Sequence, residues 1–234
     1  MTSNASCPVK RIGLGWVLIF GLLQLAACTQ PASDLPAETA AEERTNAEVN
    51  VVMTTALGEI ELAIYPDSAP ISAGNFLAYI EEGHYGGATL YRSAHREGNS
   101  TIAVIQGGLL GPSMAGDGSE YANPTPPRAP IAHETTHTTG ISNEQGTIAY
   151  ARMNPGSATS EFFFNMENNA VLDTDNGGPN RDGHGYATFG RVVRGFDVLQ
   201  AIHGLPRDGS TGIETLRGQI ITEPVPIKSI QILD

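Results

Sequence analysis

Apolar and polar positions alternate with period two from Val49 to Met53 and again from Ile60 to Ile64, on either side of Ala56-Leu57-Gly58. That spacing predicts a β-hairpin. Helical spacing comes next. Ser68-Ala69-Pro70 opens a segment in which Ala73, Phe76, Leu77 and Ile80 recur every three or four positions, and Gly83 stops it. From Gly146 the period returns to two, with Ile148 and Tyr150 on one face and Thr147, Ala149 and Ala151 on the other. After the turn residues Asn154-Pro155-Gly156-Ser157, a second strand-like run spans Glu161 to Phe164 and ends at Asn165. There Phe162 and Phe164 point to one side, Glu161 and Phe163 to the other. One side fills a core, and the other can offer a carboxylate and a ring to a groove. A second helix is expected over about Phe196 to His203, with Phe196, Leu199 and Ile202 inward and Gly204 as its stop. Ile227, Ile230 and Ile232 then mark a last strand. Short antiparallel strands, two helices and a closing strand predict a mainly β fold, a β-barrel with a helix over each mouth.

The first residues change the picture of where the chain resides. Lys10 and Arg11 precede an apolar run from Ile12 to Leu25, which closes on Leu25-Ala26-Ala27-Cys28. A basic start, a short apolar stretch and small residues before a cleavage point describe a secretory signal. The run falls short of the roughly 20 residues that a membrane span requires and contains Gln24 and glycines. The Leu-Ala-Ala-Cys ending resembles a bacterial lipobox, which implies cleavage before Cys28 and lipid on its sulfur. The expected organisation is a signal segment over 1–27, a lipidated cysteine with a flexible acidic tether over 28–47, and one domain over 48–234. Thr29, following the cysteine, favours the outer over the inner membrane by resemblance to sorted lipoproteins. Cys7 lies in the discarded segment, so no internal disulfide is expected.

Of 234 residues, 13 are Lys or Arg and 25 are Asp or Glu, a formal charge of −12 that loss of Lys10 and Arg11 would deepen by two. An acidic surface argues against nucleic acid as a partner. A monomer is expected.

Two motifs invite metal readings. His133-Glu134-Thr135-Thr136-His137 spells H-E-x-x-H, which on a helix would bind zinc between the histidines and use the glutamate as general base. Pro130 before it, the threonines among residues 133–139 and Gly140 after it make a poor helix. Asp173, Asp175 and Gly178 suggest a calcium loop, but the closing ligand position holds His184, and Pro179 follows the glycine. An inserted turn is the preferred reading, and no metal or cofactor is expected.

Gly146-Thr147-Ile148-Ala149-Tyr150-Ala151-Arg152, with Glu161-Phe162-Phe163-Phe164 behind it, resembles the core signature of the cyclophilin family of peptidyl-prolyl isomerases. Tyr65-Pro66-Asp67-Ser68-Ala69-Pro70, Thr89-Leu90-Tyr91-Arg92, Ala103-Val104-Ile105-Gln106-Gly107-Gly108, Val171-Leu172-Asp173 and Gly185-Tyr186-Ala187-Thr188-Phe189-Gly190 extend the resemblance over nearly all of 49–232. It implies an eight-stranded antiparallel barrel and acceleration of rotation about X–Pro bonds. It also implies that Arg92 is the catalytic residue, with Arg96 as a nearby competitor. Gln106, Ala103, Ile105, the backbone of Ala151 and Arg152, Glu161, Phe163, Leu172 and Tyr186 are then expected to hold the peptide. Ala103 and Val171 stand where the family carries large aromatics, which leaves open a second reading as a peptide-binding holdase of the same fold. Glu161 replaces a common glutamine and is expected on the same groove as Arg92, where it could pair with the guanidinium. The expected partners are proline-containing polypeptides and, through Cys28, a membrane in the bacterial cell envelope.

Overall fold

Strand β1 (Val49–Thr55) turns back on β2 (Glu59–Ile64) in antiparallel register, with Val51 opposite Leu62 and Met53 opposite Ile60. The computed structural model describes residues 47–98, 100–111, 126–176 and 179–233. The expected signal segment over 1–27, Cys28, the expected tether before residue 47 and residues 112–125 lie outside the described residues. The hairpin is longer than its alternation suggests because the Thr55 hydroxyl donates to Gly58 O over 2.8 Å and carries the pairing into the turn.

Six more strands complete the sheet: β3 (Thr89–Ala94), β4 (Val104–Gly108), β5 (Thr147–Tyr150), β6 (Phe162–Asn165), β7 (Thr188–Arg194) and β8 (Ile220–Ile232). Their order around a closed antiparallel barrel is β1-β2-β7-β5-β6-β4-β3-β8. Closure comes from β8, whose C-terminal half pairs with β1 and whose N-terminal half pairs with β3. Ile227 and Ile230 sit opposite Thr55 and Met53, as a closing strand requires. Among the described residues, closure leaves no edge of this sheet unpaired.

Alternation then sorts the side chains. Ile148, Tyr150, Phe162 and Phe164 join Val51, Leu62 and Phe189 in the barrel interior, whereas Ala149 and Phe163 face out into a second apolar cluster. Helix α1 (Pro70–Glu81) packs against β7 and β8, sending Phe76 and Tyr79 into the interior. Phe76 meets Phe162 edge to face, with centroids 5.8 Å apart. Helix α3 (Phe196–His203) packs against β2, β3 and β4, with Leu199 and Ile202 fully buried.

The H-E-x-x-H segment does not form the helix that its motif needs. Helix α2 is a single turn, Thr136–Thr139, and Thr135 caps it from outside, so His133 and Glu134 precede it. Glu134 is instead turned into the start of α1, where Ala69 offers no side-chain cap. Its Oε1 accepts from Ile71 N over 3.1 Å and its Oε2 from Ser72 N over 2.7 Å. Two orphan donors at the positive end of a helix dipole are thereby satisfied from another part of the chain. The acid turn at 173–184 is also occupied: Asp173 Oδ1 accepts from Asn143 N and Nδ2, and Asp175 contacts His137.

Candidate active site

The register of four neighbouring strands fixes the site. Arg92 on β3 lies opposite Gln106 on β4, Gln106 opposite Phe163 on β6, and Phe163 opposite Ala149 on β5. These four residues form one row across the barrel wall, with a cation at one end and an apolar patch at the other. Phe163, Leu172, Ala149, Val104, Ile102 and Ala94 make up that patch, and Ala151, Val171 and Tyr186 pack at its margin. The Tyr186 ring stands edge-on to Phe163 at 5.6 Å.

Arg92 is half-buried and held by neutral amides. Its Nη1 donates to Gln106 Oε1 over 2.7 Å, while Nε and Nη2 both donate to Gln219 Oε1, over 3.0 and 2.7 Å. Two amide oxygens orient the guanidinium through bonds strengthened by its charge. Gln219 was not legible as a site residue. It arrives from the turn before β8, and its partner is 127 positions away.

Arg96 is committed elsewhere. It donates to Thr101 O, Asn168 O, Asn169 Oδ1 and the Glu167 carboxylate, tying the end of β3 to the start of β4 and to residues 167–169. Asn169 in turn donates to Ala103 O and Asn165, so that buried amides anchor the start of β4.

Two expectations are corrected by this geometry, the lining by Ala103 and Ile105 and the pairing of Glu161 with Arg92. Ala103 and Ile105 belong to the barrel interior, and Val104 and Ile102 line the outward patch in their place. Counting by twos from Gln106 would have found them, because alternate strand residues share a face. The small Ala103 therefore does not shape the groove wall. Ala151 presents its side chain to the patch and donates its N–H to Glu161 O over 2.9 Å. Glu161 does not pair with Arg92. Glu161 is only 5% exposed, beneath Leu109 and Leu110, whose N–H groups donate to its Oε1 over 2.7 and 3.0 Å. Tyr91 Oη donates to Oε2 over 2.6 Å. The backbone of Gly108, at φ +144°, makes room for it, since a Cβ there would run into the carboxylate.

Arg152 contributes a side chain as well as a backbone. Its side chain is 1% exposed, and the guanidinium donates to Gly185 O over 2.8 Å and to both oxygens of Asp182, over 2.6 and 2.9 Å. It also lies 4.9 Å from the Tyr186 ring centre. These bonds hold the Asp182 carboxyl well below the usual range. Arg152 thus pins the segment that delivers Tyr186 to the patch.

Residues 50–232 match the family profile described as cyclophilin type peptidyl-prolyl cis-trans isomerase/CLD. A peptidyl-prolyl cis-trans isomerase of Streptomyces antibioticus is 37% identical over 184 residues, covering 78% of this chain and 98% of the relative. One from Acinetobacter baylyi is 36% identical over 187 residues, covering 80% of this chain and 86% of the relative. The crystal structure of a Cryptosporidium parvum cyclophilin type peptidyl-prolyl cis-trans isomerase has the same fold, with a TM-score of 0.57 at 17% identity over 80% of this chain and 99% of its own. A second crystal structure of that protein, in the presence of the dipeptide Ala-Pro, aligns with a TM-score of 0.55 at 18% identity, over 79% of this chain and 99% of its own.

Proposed function

From the premise that the chain belongs to the cyclophilin-type peptidyl-prolyl cis-trans isomerases, we propose that it turns X–Pro bonds in exported polypeptides, with Arg92 as the catalytic donor. One observation carries this reading: a guanidinium oriented by neutral amides stands on the same cross-strand row as an apolar patch built on Phe163.

Amide resonance sets a barrier of roughly 18–20 kcal/mol, and uncatalysed X–Pro exchange takes tens to hundreds of seconds. Rotation makes and breaks no covalent bond, so the chemistry calls for no nucleophile, metal or cofactor. It calls for tighter binding of the twisted amide than of either planar form. Once resonance is lost, the proline nitrogen regains a lone pair, and an N–H of Arg92 is placed to donate to it. Phe163, Leu172, Val104 and Tyr186 hold the ring against rotation, so that the preceding carbonyl swings. Gln106 steadies both the guanidinium and the peptide. Each 1.36 kcal/mol of preference for the twisted state gives tenfold in rate.

The setting proposed for this activity is the bacterial cell envelope, with Cys28 lipidated and the tether over 28–47 spacing a monomeric domain from the outer membrane. Its support is the apolar run at 12–25 followed by Leu25-Ala26-Ala27-Cys28. Clients would be proline-containing segments of proteins that fold after export. The test is refolding of an exported protein whose slow phase is limited by proline isomerisation. Substoichiometric amounts of the domain should shorten that phase, and an unchanged phase would defeat the reading. In cells, Cys28→Ala should leave an acyl-free chain that keeps its signal segment. Finding the unaltered chain acyl-free in the soluble fraction would defeat the anchor.

A further inference from the structure

Glu161 is a carboxylate where the chemistry above has no use for one. It is buried, its four hydrogen bonds all come from neutral donors, and among the described residues it joins no ion pair. Burial pushes its carboxyl up from the ordinary range. A charge kept in such surroundings costs stability, which its hydrogen bonds offset only in part.

What the carboxylate does can be read from the direction of each bond. A carboxylate only accepts, so Tyr91 must give its single proton to Glu161 Oε2. The hydroxyl then has only lone pairs left for Gln106, which meets them with Nε2 over 2.7 Å. With Nε2 turned that way, Oε1 of the same amide faces Arg92 Nη1 at 2.7 Å. The backbone is built to allow this. Pairing shifts register between Leu90 and Arg92, so a bulge at Tyr91 lets two consecutive side chains reach the same glutamine. Regular strand geometry would send them to opposite faces.

We propose that Tyr91 and Glu161 are positioning residues for Arg92. The carboxylate fixes the phenol proton, the phenol fixes the amide of Gln106, and the amide oxygen fixes the guanidinium. This rests on the reading of Arg92 as the catalytic donor. A donor placed at Oε2 reverses every member of the series. The phenol then donates to Gln106, and the amide turns Nε2 toward the guanidinium. Glu161→Gln does this permanently, because its one oxygen is claimed by Leu109, Leu110 and Ser160. Protonation of Glu161 does it reversibly. Among the described residues, the other titratable groups facing the carboxylate are Tyr91 from β3, Tyr79 from α1 and Tyr85 from the turn after α1. All are phenols, neutral throughout the acid range.

The experiment compares the unaltered protein with Glu161→Gln, Tyr91→Phe, the double variant and Arg92→Ala. It measures exchange of a short X–Pro peptide and the side-chain 15N–1H signals of Arg92. Glu161→Gln should lower kcat about tenfold with KM nearly unchanged, as expected for the misplacement of a charge-assisted donor. The double variant should be no slower than Glu161→Gln, because one relay cannot be broken twice. In the unaltered protein kcat should fall, and the Arg92 signals broaden, as pH drops through the raised Glu161 titration. In Glu161→Gln both should stay flat. Variants that turn over like the parent with sharp Arg92 signals would overturn the relay, and so would a raised KM at constant kcat. Should Tyr91→Phe fail to fold, Glu161→Gln and the pH titration decide alone. If Arg92→Ala turns over like the parent, the catalytic reading has failed, while the Arg92 signals of the other variants still judge the relay.

Discussion

Arg92 grips Gln219 with both Nε and Nη2, at 3.0 and 2.7 Å, and so ties β3 to the residue that leads into β8. Gln219 is itself steadied by donating Nε2 to Thr215 O over 2.9 Å. Gln219→Leu keeps much of the buried shape and deletes the shared oxygen. Two charge-assisted bonds are lost, so kcat should drop about tenfold while KM changes less. Steady-state exchange kinetics on the variant check this.

Glu134 supplies the N-terminal cap of α1 from 62 positions downstream of Ser72. Glu134→Ala should cost about 1–2 kcal/mol of stability, read as a lower denaturant midpoint. Turnover well below the unfolding transition should be unaffected, and treatment with a chelator should leave it unchanged as well. Loss of turnover with chelator would return the H-E-x-x-H motif to contention as a metal site.

Arg152 joins the 182–185 segment to the face of Tyr186. Removing it with Arg152→Ala frees that ring and strands the Asp182 carboxylate. The expected result is a KM several-fold higher at similar kcat, consistent with a contact worth about 1 kcal/mol to peptide in both planar and twisted states. A fall in kcat at constant KM would contradict this.

How much of this was legible beforehand follows from the range of each interaction. The hairpin, both main helices and the Ile148/Ala149 alternation are local patterns, and each forms where its period places it, the hairpin a little longer. Phe163, Leu172 and Tyr186 do meet, and Arg92 does face Gln106. Parity along β4 departs from the expectation, because Gln106 sets the outward face and Ile105 therefore turns inward. Glu161 was misplaced because nothing local reveals that Leu109 and Leu110 fold over it. Gln219 and the bulge at Tyr91 are products of barrel closure, and no local pattern announces them.

His203 stacks on His95 with ring centres 3.8 Å apart, and burial, aided by that neighbour, pushes it down to about 4 from 6.5. The unfolded chain therefore takes up this proton first as pH falls. Stability from this group is complete above about 6.5 and is lost progressively toward about 4. Glu161, shifted upward, has the opposite sign and regains stability as it protonates. Comparing denaturant midpoints of the parent and His203→Asn between pH 7 and 4 isolates the histidine, because Glu161 contributes equally to both. The parent should lose more stability than the variant.

Exchange spectroscopy by NMR on a short X–Pro peptide puts the role of Arg92 to the most direct test, since it follows cis and trans populations at equilibrium with no coupled reaction. With the unaltered domain present in catalytic amount, the cis and trans signals should exchange far faster than the tens to hundreds of seconds of the free peptide. With Arg92→Ala, most of that acceleration should vanish while the peptide still shifts resonances of Phe163, Leu172 and Tyr186. Exchange as fast with Arg92→Ala as with the parent would contradict the assignment of the guanidinium as the donor to the twisted amide.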